Sequence, residues 1–300
     1  MPEPLKITLK TLTPLWAGGA DGTSDRLHAT GIIGSLRWWY EAIVRGLGGY
    51  ACDPTSDDRC EYNPKKKEPP EKQLCAACYL FGCTGWARKF RLLVLDDKGQ
   101  LLQGAIEKKH TEFVLEFVEL RPVQLEEKWL LIMAIKIAVK HGALGGKTTL
   151  KPQKGPMGED YGIVEWIQAP SVQEPKDITV FLHNLRQGGN PPKYPNLKYF
   201  FFLRGAFLWR RQMNALMGLS ENGQEVIDDK PYQRFLRGRR GDRTHDAISK
   251  KIFSFRSDGG RIWGYAKDGP MRDTIIEQIR QQLENGDYAV KTGEEVLNEL

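Results

Sequence analysis

Five cysteines fall between positions 52 and 83 of a 300-residue chain. Clustered and odd in number, they suit metal chelation in a reducing compartment better than a disulfide framework. Cys75-Ala-Ala-Cys78 is a chelating pair, and Cys52 and Cys60, with seven residues between them, can close a four-thiolate site for one structural zinc. Free buried thiols are the alternative. Cys83, within Leu-Phe-Gly-Cys-Thr-Gly, reads as a buried small residue that can also replace one of the four.

A second chemistry is anion binding. Residues 18–45 carry Arg26, His28, Arg37 and Arg45. On a helical wheel Arg37 and Arg45 lie within about 80° of each other, opposite an apolar stripe and beside Trp38. Guanidinium groups fork onto phosphate oxygens, first-turn amides after a Thr30 cap favour an anion, and an exposed indole stacks on a splayed base. Gly31 and Gly34 suggest close backbone approach, for which an RNA backbone is a candidate. The plainer reading pairs Arg37 with Glu41 and packs Trp38 against a second domain.

Five arginines within residues 234–243, including Arg237, Arg239 and Arg240, form a second basic concentration suited to a nucleic-acid backbone or a protein partner. A third candidate, His141-Gly-Ala-Leu-Gly-Gly-Lys147-Thr148-Thr149, offers amides, a cation and a hydroxyl to phosphate. It is not a Walker loop, because His141 stands where that spacing needs glycine. His28 and His245 sit near arginines and are possible general bases for RNA cleavage. No paired carboxylates and no Ser/His/Asp set emerge from the spacing, so catalysis has little support.

These groups need elements to position them. Leu5, Ile7 and Leu9 alternate with polar residues as a strand. Ile32, Leu36, Tyr40, Ile43 and Leu47 make a helix of about four turns ending at Gly48-Gly49. Residues 50–85 read as an irregular insertion. Strands around 90–94 and 113–117, a strongly apolar helix over 125–140 and a strand over 161–167 follow. Strand, helix, strand, strand, helix, strand is the ferredoxin-like order. The expectation is an α+β protein of two ferredoxin-like (RRM-like) domains, 1–170 with the insertion and 171–300. In the second, strands are expected at 178–182, 197–203, 252–256 and 261–266, with helices near 213–219 and 271–284.

The net charge of +6 allows a polyanionic partner without requiring one. The longest apolar run, Trp129 to Ile135, is far short of the roughly 20 residues that span a bilayer. With no secretory signal pattern either, no membrane association and a cytoplasmic location are expected.

Thr30-Gly-Ile-Ile-Gly-Ser-Leu-Arg-Trp-Trp-Tyr-Glu-Ala-Ile-Val-Arg-Gly-Leu-Gly-Gly49 and Leu80-Phe-Gly-Cys-Thr-Gly-Trp-Ala-Arg-Lys-Phe90 resemble the first-subunit family of the Cmr (type III-B) CRISPR effector complex, within the RAMP superfamily. The resemblance implies two ferredoxin-like domains, guide and/or target RNA and other Cmr subunits as partners, a place near the guide 3′ region, and no nuclease activity. It adds Arg88 and Lys89 to the RNA-binding candidates. The superfamily's glycine-rich loop resembles Gly145-Gly146-Lys147-Thr148-Thr149 followed by Tyr161-Gly162, here separated by residues 150–160. Nothing matches the aromatic RNP motif, so RNA is expected on loops and the first helix. A metal-independent endoribonuclease and a scaffold with little RNA contact are the competing readings.

Overall fold

The computed structural model describes residues 3–17, 27–102, 104–146, 160–188, 194–226, 229–239, 248–283 and 286–300. The chain forms two compact units, Met1–Gly146 with Tyr161–Asn196, and Lys147–Asp160 with Leu197–Leu300.

In the first unit the elements run β1 (Leu5–Thr11), α1 (Ala29–Gly46), α2 (Pro70–Gln73), α3 (Ala76–Phe81), β2 (Phe90–Leu95), β3 (Glu112–Glu119), α4 (Leu125–Lys140), β4 (Val164–Gln168) and α5 (Ile178–Asn184). The strands form an antiparallel sheet in the order β2-β3-β1-β4, the ferredoxin-like topology. Alternation in β1 buries Ile7, Leu9 and Thr11 and turns Lys6 outward to Glu116 at 3.3 Å. α4 is apolar almost all round, and Trp129 to Ile135 are buried.

The second unit repeats the plan with β5 (Phe200–Arg204), α6 (Arg210–Leu216), α7 (Pro231–Arg237), β6 (Ile252–Phe255), β7 (Arg261–Tyr265), α8 (Gly269–Leu283), β8 (Ala289–Thr292) and α9 (Gly293–Leu297). Its strand order, β6-β7-β5-β8, is the same topology. Phe201, Leu203, Ile252 and Ile262 pack with Ile275 and Ile279 of α8.

Three sequence expectations are corrected. Residues 178–182 are α5, not a strand: Asp177 caps the helix by accepting from the Val180 amide at 3.0 Å, and Phe181, Leu182 and Leu185 are buried in the first unit at helical spacing. The strand missing from the second unit is β8, whose short, largely exposed sequence carries no apolar alternation. Thr30 does not cap α1; the helix starts at Ala29 after His28, with no side-chain cap, and Thr30 is exposed in the first turn.

Candidate metal centre and RNA-facing surface

The irregular insertion folds back on α1 and gathers four of the five cysteines. Cys75 lies just before α3 and Cys78 in its first turn, so helical pitch puts both sulfurs on one side. Cys52 follows the turn after α1, and the chain returns through Cys60. The Sγ atoms of Cys52, Cys60, Cys75 and Cys78 all lie within 4.8 Å of one another, and each residue is at most 2% exposed. Cys52 Sγ is 3.5 Å from Cys78 Sγ and 3.8 Å from Cys75 Sγ. A disulfide needs about 2.05 Å. Tetrahedral Zn–S bonds of about 2.3 Å place sulfurs about 3.8 Å apart, so the separations fit a four-thiolate cage. Cys83 is half-buried, bonds the Thr84 carbonyl at 3.6 Å and stands outside the group.

Amides and guanidinium groups surround the sulfurs. The Cys75 amide donates to Cys60 Sγ at 3.3 Å, and the Cys52 amide to Cys75 Sγ at 3.5 Å. Arg37 donates to Cys78 Sγ at 3.2 Å, and Arg186 to Cys60 Sγ at 3.3 Å. Hydrogen bonding from Cys52, then Cys75 and Cys78, holds the Cys60 thiol well below its ordinary range. The cluster can hold a metal ion: four thiolates around a divalent ion leave a net −2, which two guanidinium groups balance.

This cage changes the meaning of the arginines on α1. Arg37 also bonds Glu41 at 2.8 Å and the Gly82 carbonyl at 2.8 Å. Burial works against its charge, but Cys78 and Glu41 hold its pKa above the ordinary value. Arg45 is 7% exposed and donates to the carbonyls of Ala51, Cys52 and Pro195. The side of α1 expected to be open and basic is the surface on which the cysteine insertion docks. A helical wheel sees the helix but not what covers it. Arg186, 126 residues from Cys60 in sequence, carried no signal at all.

Lys89 is corrected in the same way. It is 3% exposed, bonds the fully buried Glu127 at 2.8 Å and lies 3.3 Å from the Tyr79 ring centroid. Arg88 is half-buried. Arg237 is held by Asp229 at 2.8 Å and Glu225 at 3.2 Å, with its side chain 12% exposed. Arg239 is exposed, and its backbone bridges Ile248. Arg26, Lys147, Thr148, Arg240 and His245 lie outside the described residues.

A different surface forms where the glycine-rich loop meets α1. The Gly146 amide donates to the Trp16 carbonyl at 2.8 Å, the His28 amide to the Ala17 carbonyl at 3.2 Å, and the Gly145 amide to Ser35 Oγ at 3.2 Å. Leu144 bonds the Gly162 carbonyl at 2.8 Å, so the two parts of the loop separated in sequence stand side by side. Gly145 has φ +87°, and a Cβ there would lie 2.6 Å from the Trp16 carbonyl oxygen; at Gly146 it would lie 2.4 Å from the Trp16 ring. Beside this junction, Thr30, Gly34 and Trp38 run along one face of α1 at i, i+4, i+8 spacing, the first two exposed and Trp38 half-buried. A Cβ on Gly34 would meet nothing within 4 Å, whereas Gly31 lies against Ala17. Gly34 is thus a notch open to the outside.

No helix among the described residues is long and apolar enough to cross a membrane. Comparison with curated protein sequences finds no match. Among solved structures, the chain is similar to Cmr1 from Pyrococcus furiosus in its apo form, with 12% identity, TM-score 0.51 and coverage of 97% of this chain and 99% of that one. It is also similar to a chain of the type III-B Cmr-beta complex bound to cognate target RNA, at 10% identity and TM-score 0.50, covering 93% of this chain and 99% of that one. A second Cmr-beta structure, bound to cognate target RNA and AMPPnP in the presence of ssDNA, gives 10% identity, TM-score 0.51 and the same coverage. At these identities the likeness establishes the fold. Residues 8–151, which hold the cysteine cage, α1 and the glycine-rich junction, match the model of the RAMP superfamily, and over that stretch the chain is similar to this superfamily.

Proposed function

We propose that this chain is a non-catalytic, cytoplasmic RNA-binding subunit of a type III-B CRISPR effector complex, holding guide and/or target RNA near the guide 3′ region beside other Cmr subunits. The observation that carries it is the junction of Gly145 and Gly146 with Trp16, Ala17 and Ser35, next to the Thr30–Gly34–Trp38 face of α1. Gly145 and Gly146, their amides bonded to Ser35 and Trp16, hold the loop close against α1; Gly34 admits a sugar-phosphate backbone, and Trp38 and His28 offer rings to bases. The Cmr-bound relatives support the assembly and the RNA partner.

The contacts we assign within the described residues of the first unit are His28, Trp38 and the backbone of 145–146, with Arg88 as a further cation; Arg239 is assigned to RNA in the second unit by itself. Arg26, Lys147, Thr148 and Arg240 belong to the same proposal from their sequence positions. Arg37, Arg45, Lys89 and Arg237 we assign to structure. We further propose that Cys52, Cys60, Cys75 and Cys78 hold one structural zinc, which fixes the insertion on α1; one zinc per chain by elemental analysis is expected.

The test is photo-crosslinking of 4-thiouridine-labelled RNA in the assembled complex, followed by peptide mapping. Crosslinks on residues 27–38 and 144–162 are expected, with labelled repeat RNA left uncut by the protein in EDTA. Absence of crosslinks to this chain leaves the scaffold reading, and defined cuts in EDTA leave the ribonuclease reading.

A further inference from the structure

We infer that the second unit carries its own base-stacking site for single-stranded RNA, built from Trp209, Phe207 and Arg256 with Arg210 beside them. The inference rests on the RNA-binding reading above and adds a site to it.

Trp209 is 48% exposed, although its backbone is fixed. Its amide donates to Gln212 Oε1 at 2.9 Å, and its carbonyl accepts from the Met213 amide at 2.8 Å, which makes it the residue that caps α6. Capping favours Ser, Thr, Asp or Asn, and an indole contributes nothing to it. Next to it, Leu208 is tied to β6 twice, its amide donating to Ser254 Oγ at 2.8 Å and its carbonyl accepting from that hydroxyl at 3.2 Å. Phe207 and Trp209 therefore flank a pinned residue, and their rings meet edge-on with centroids 4.9 Å apart.

The cation completes the site. Arg256 is exposed and holds its guanidinium carbon 5.4 Å from the Trp209 ring centroid. Its backbone is fixed as well, because the Arg256 and Ser257 amides both donate to Asp160 Oδ2 at 2.8 Å. Neither Arg210 nor Arg256 has an ion-pair partner among the described residues. Arg211 pairs with Glu221, but both side chains are largely exposed and the pair screens little. A rigid, half-exposed indole flanked by a second ring and unneutralised guanidinium groups is how proteins stack unpaired bases while holding the adjoining phosphate. The charge favours an anionic strand over a protein with an apolar face.

The site is tested with full-length protein, labelled single-stranded RNA and three variants: Trp209→Ala, Trp209→Phe and Arg256→Ala. Trp209→Ala is expected to weaken binding about 5- to 150-fold, as alanine substitution of a stacking residue does. Trp209→Phe should restore most of it, and Arg256→Ala should lower the salt slope by about 0.7. Thermal unfolding of all three should match the parent, which separates loss of a contact from loss of fold. If Trp209→Ala binds RNA as the parent does while Trp38→Ala does not, the second site is overturned and the first-unit reading stands. Parent protein that shows no salt-dependent RNA binding overturns both. Unchanged RNA affinity with lost subunit assembly in Trp209→Ala assigns the patch to a protein and also overturns the proposal.

Discussion

Lys89 stands beside Arg88 in a basic stretch, yet it is internal, and replacing it by methionine separates the two possibilities. The Lys89 ammonium is 2.8 Å from Glu127 Oε2, and both side chains are at most 4% exposed. Glu127 also accepts from the Gln124 amide at 2.9 Å to close the capping box of α4, while its Oε1 has no hydrogen-bond partner among the described residues. Removing the lysine leaves a buried carboxylate without its cation, which costs about 3–5 kcal/mol. At about 2–4 °C per kcal/mol for a unit of this size, the melting transition of the first unit should fall by roughly 6–20 °C.

The pH dependence has a defined sign. Burial already raises the Glu127 pKa against the pull of Lys89, and removing Lys89 raises it further. A raised folded-state carboxyl takes up its proton on folding, so Lys89→Met should regain stability as pH falls from about 8 towards about 5. Differential scanning calorimetry across that range, with RNA affinity measured in parallel, is the assay. A variant whose melting temperature stays within about 2 °C of the parent, but whose RNA affinity and salt slope drop, would refute the assignment.

Three other outcomes follow from the same structure. Cys78→Ser should abolish stoichiometric metal, lower the melting temperature of the first unit and expose 50–85 to proteolysis; a variant that keeps one metal per chain contradicts the four-thiolate assignment. Gly145→Ala should weaken RNA binding and cost about 1–3 kcal/mol, because φ +87° and a Cβ 2.6 Å from the Trp16 carbonyl force the loop to move; circular dichroism melts beside binding curves check it. Lys251 is 5% exposed, and burial lowers its pKa from 10.5 to about 8. The folded state releases that proton first, so relative to Lys251→Met the parent should gain stability, on the order of 3 kcal/mol, as pH rises from about 8 to 10.5, as urea titrations at several pH values will show.

The repeated ferredoxin-like plan was legible wherever one face of an element is buried and the other wet, as in β1, or where the whole element is apolar, as in α4. β8 was not legible, because a four-residue edge strand with little burial carries no period. α5 was misread because Ile178-Thr-Val has β propensity; the Asp177 cap and the burial of Phe181 and Leu182 decided for helix. The four cysteines were legible because thiols have few other reasons to cluster at such spacing. Arg45 and Lys89 were not, because whether a cation faces water or an internal carbonyl depends on residues distant in sequence. Trp209 carried no signal until its exposure was known.

The central claim is that RNA lies against the glycine-rich junction and the Thr30–Gly34–Trp38 face of α1. Equilibrium binding of single-stranded RNA to the parent and to the double variant His28→Ala/Trp38→Ala, titrated with salt, tests it most directly. The account predicts salt-dependent binding by the parent and at least a ~5-fold loss in the variant, with unfolding unchanged. Equal affinities for the two proteins would contradict it.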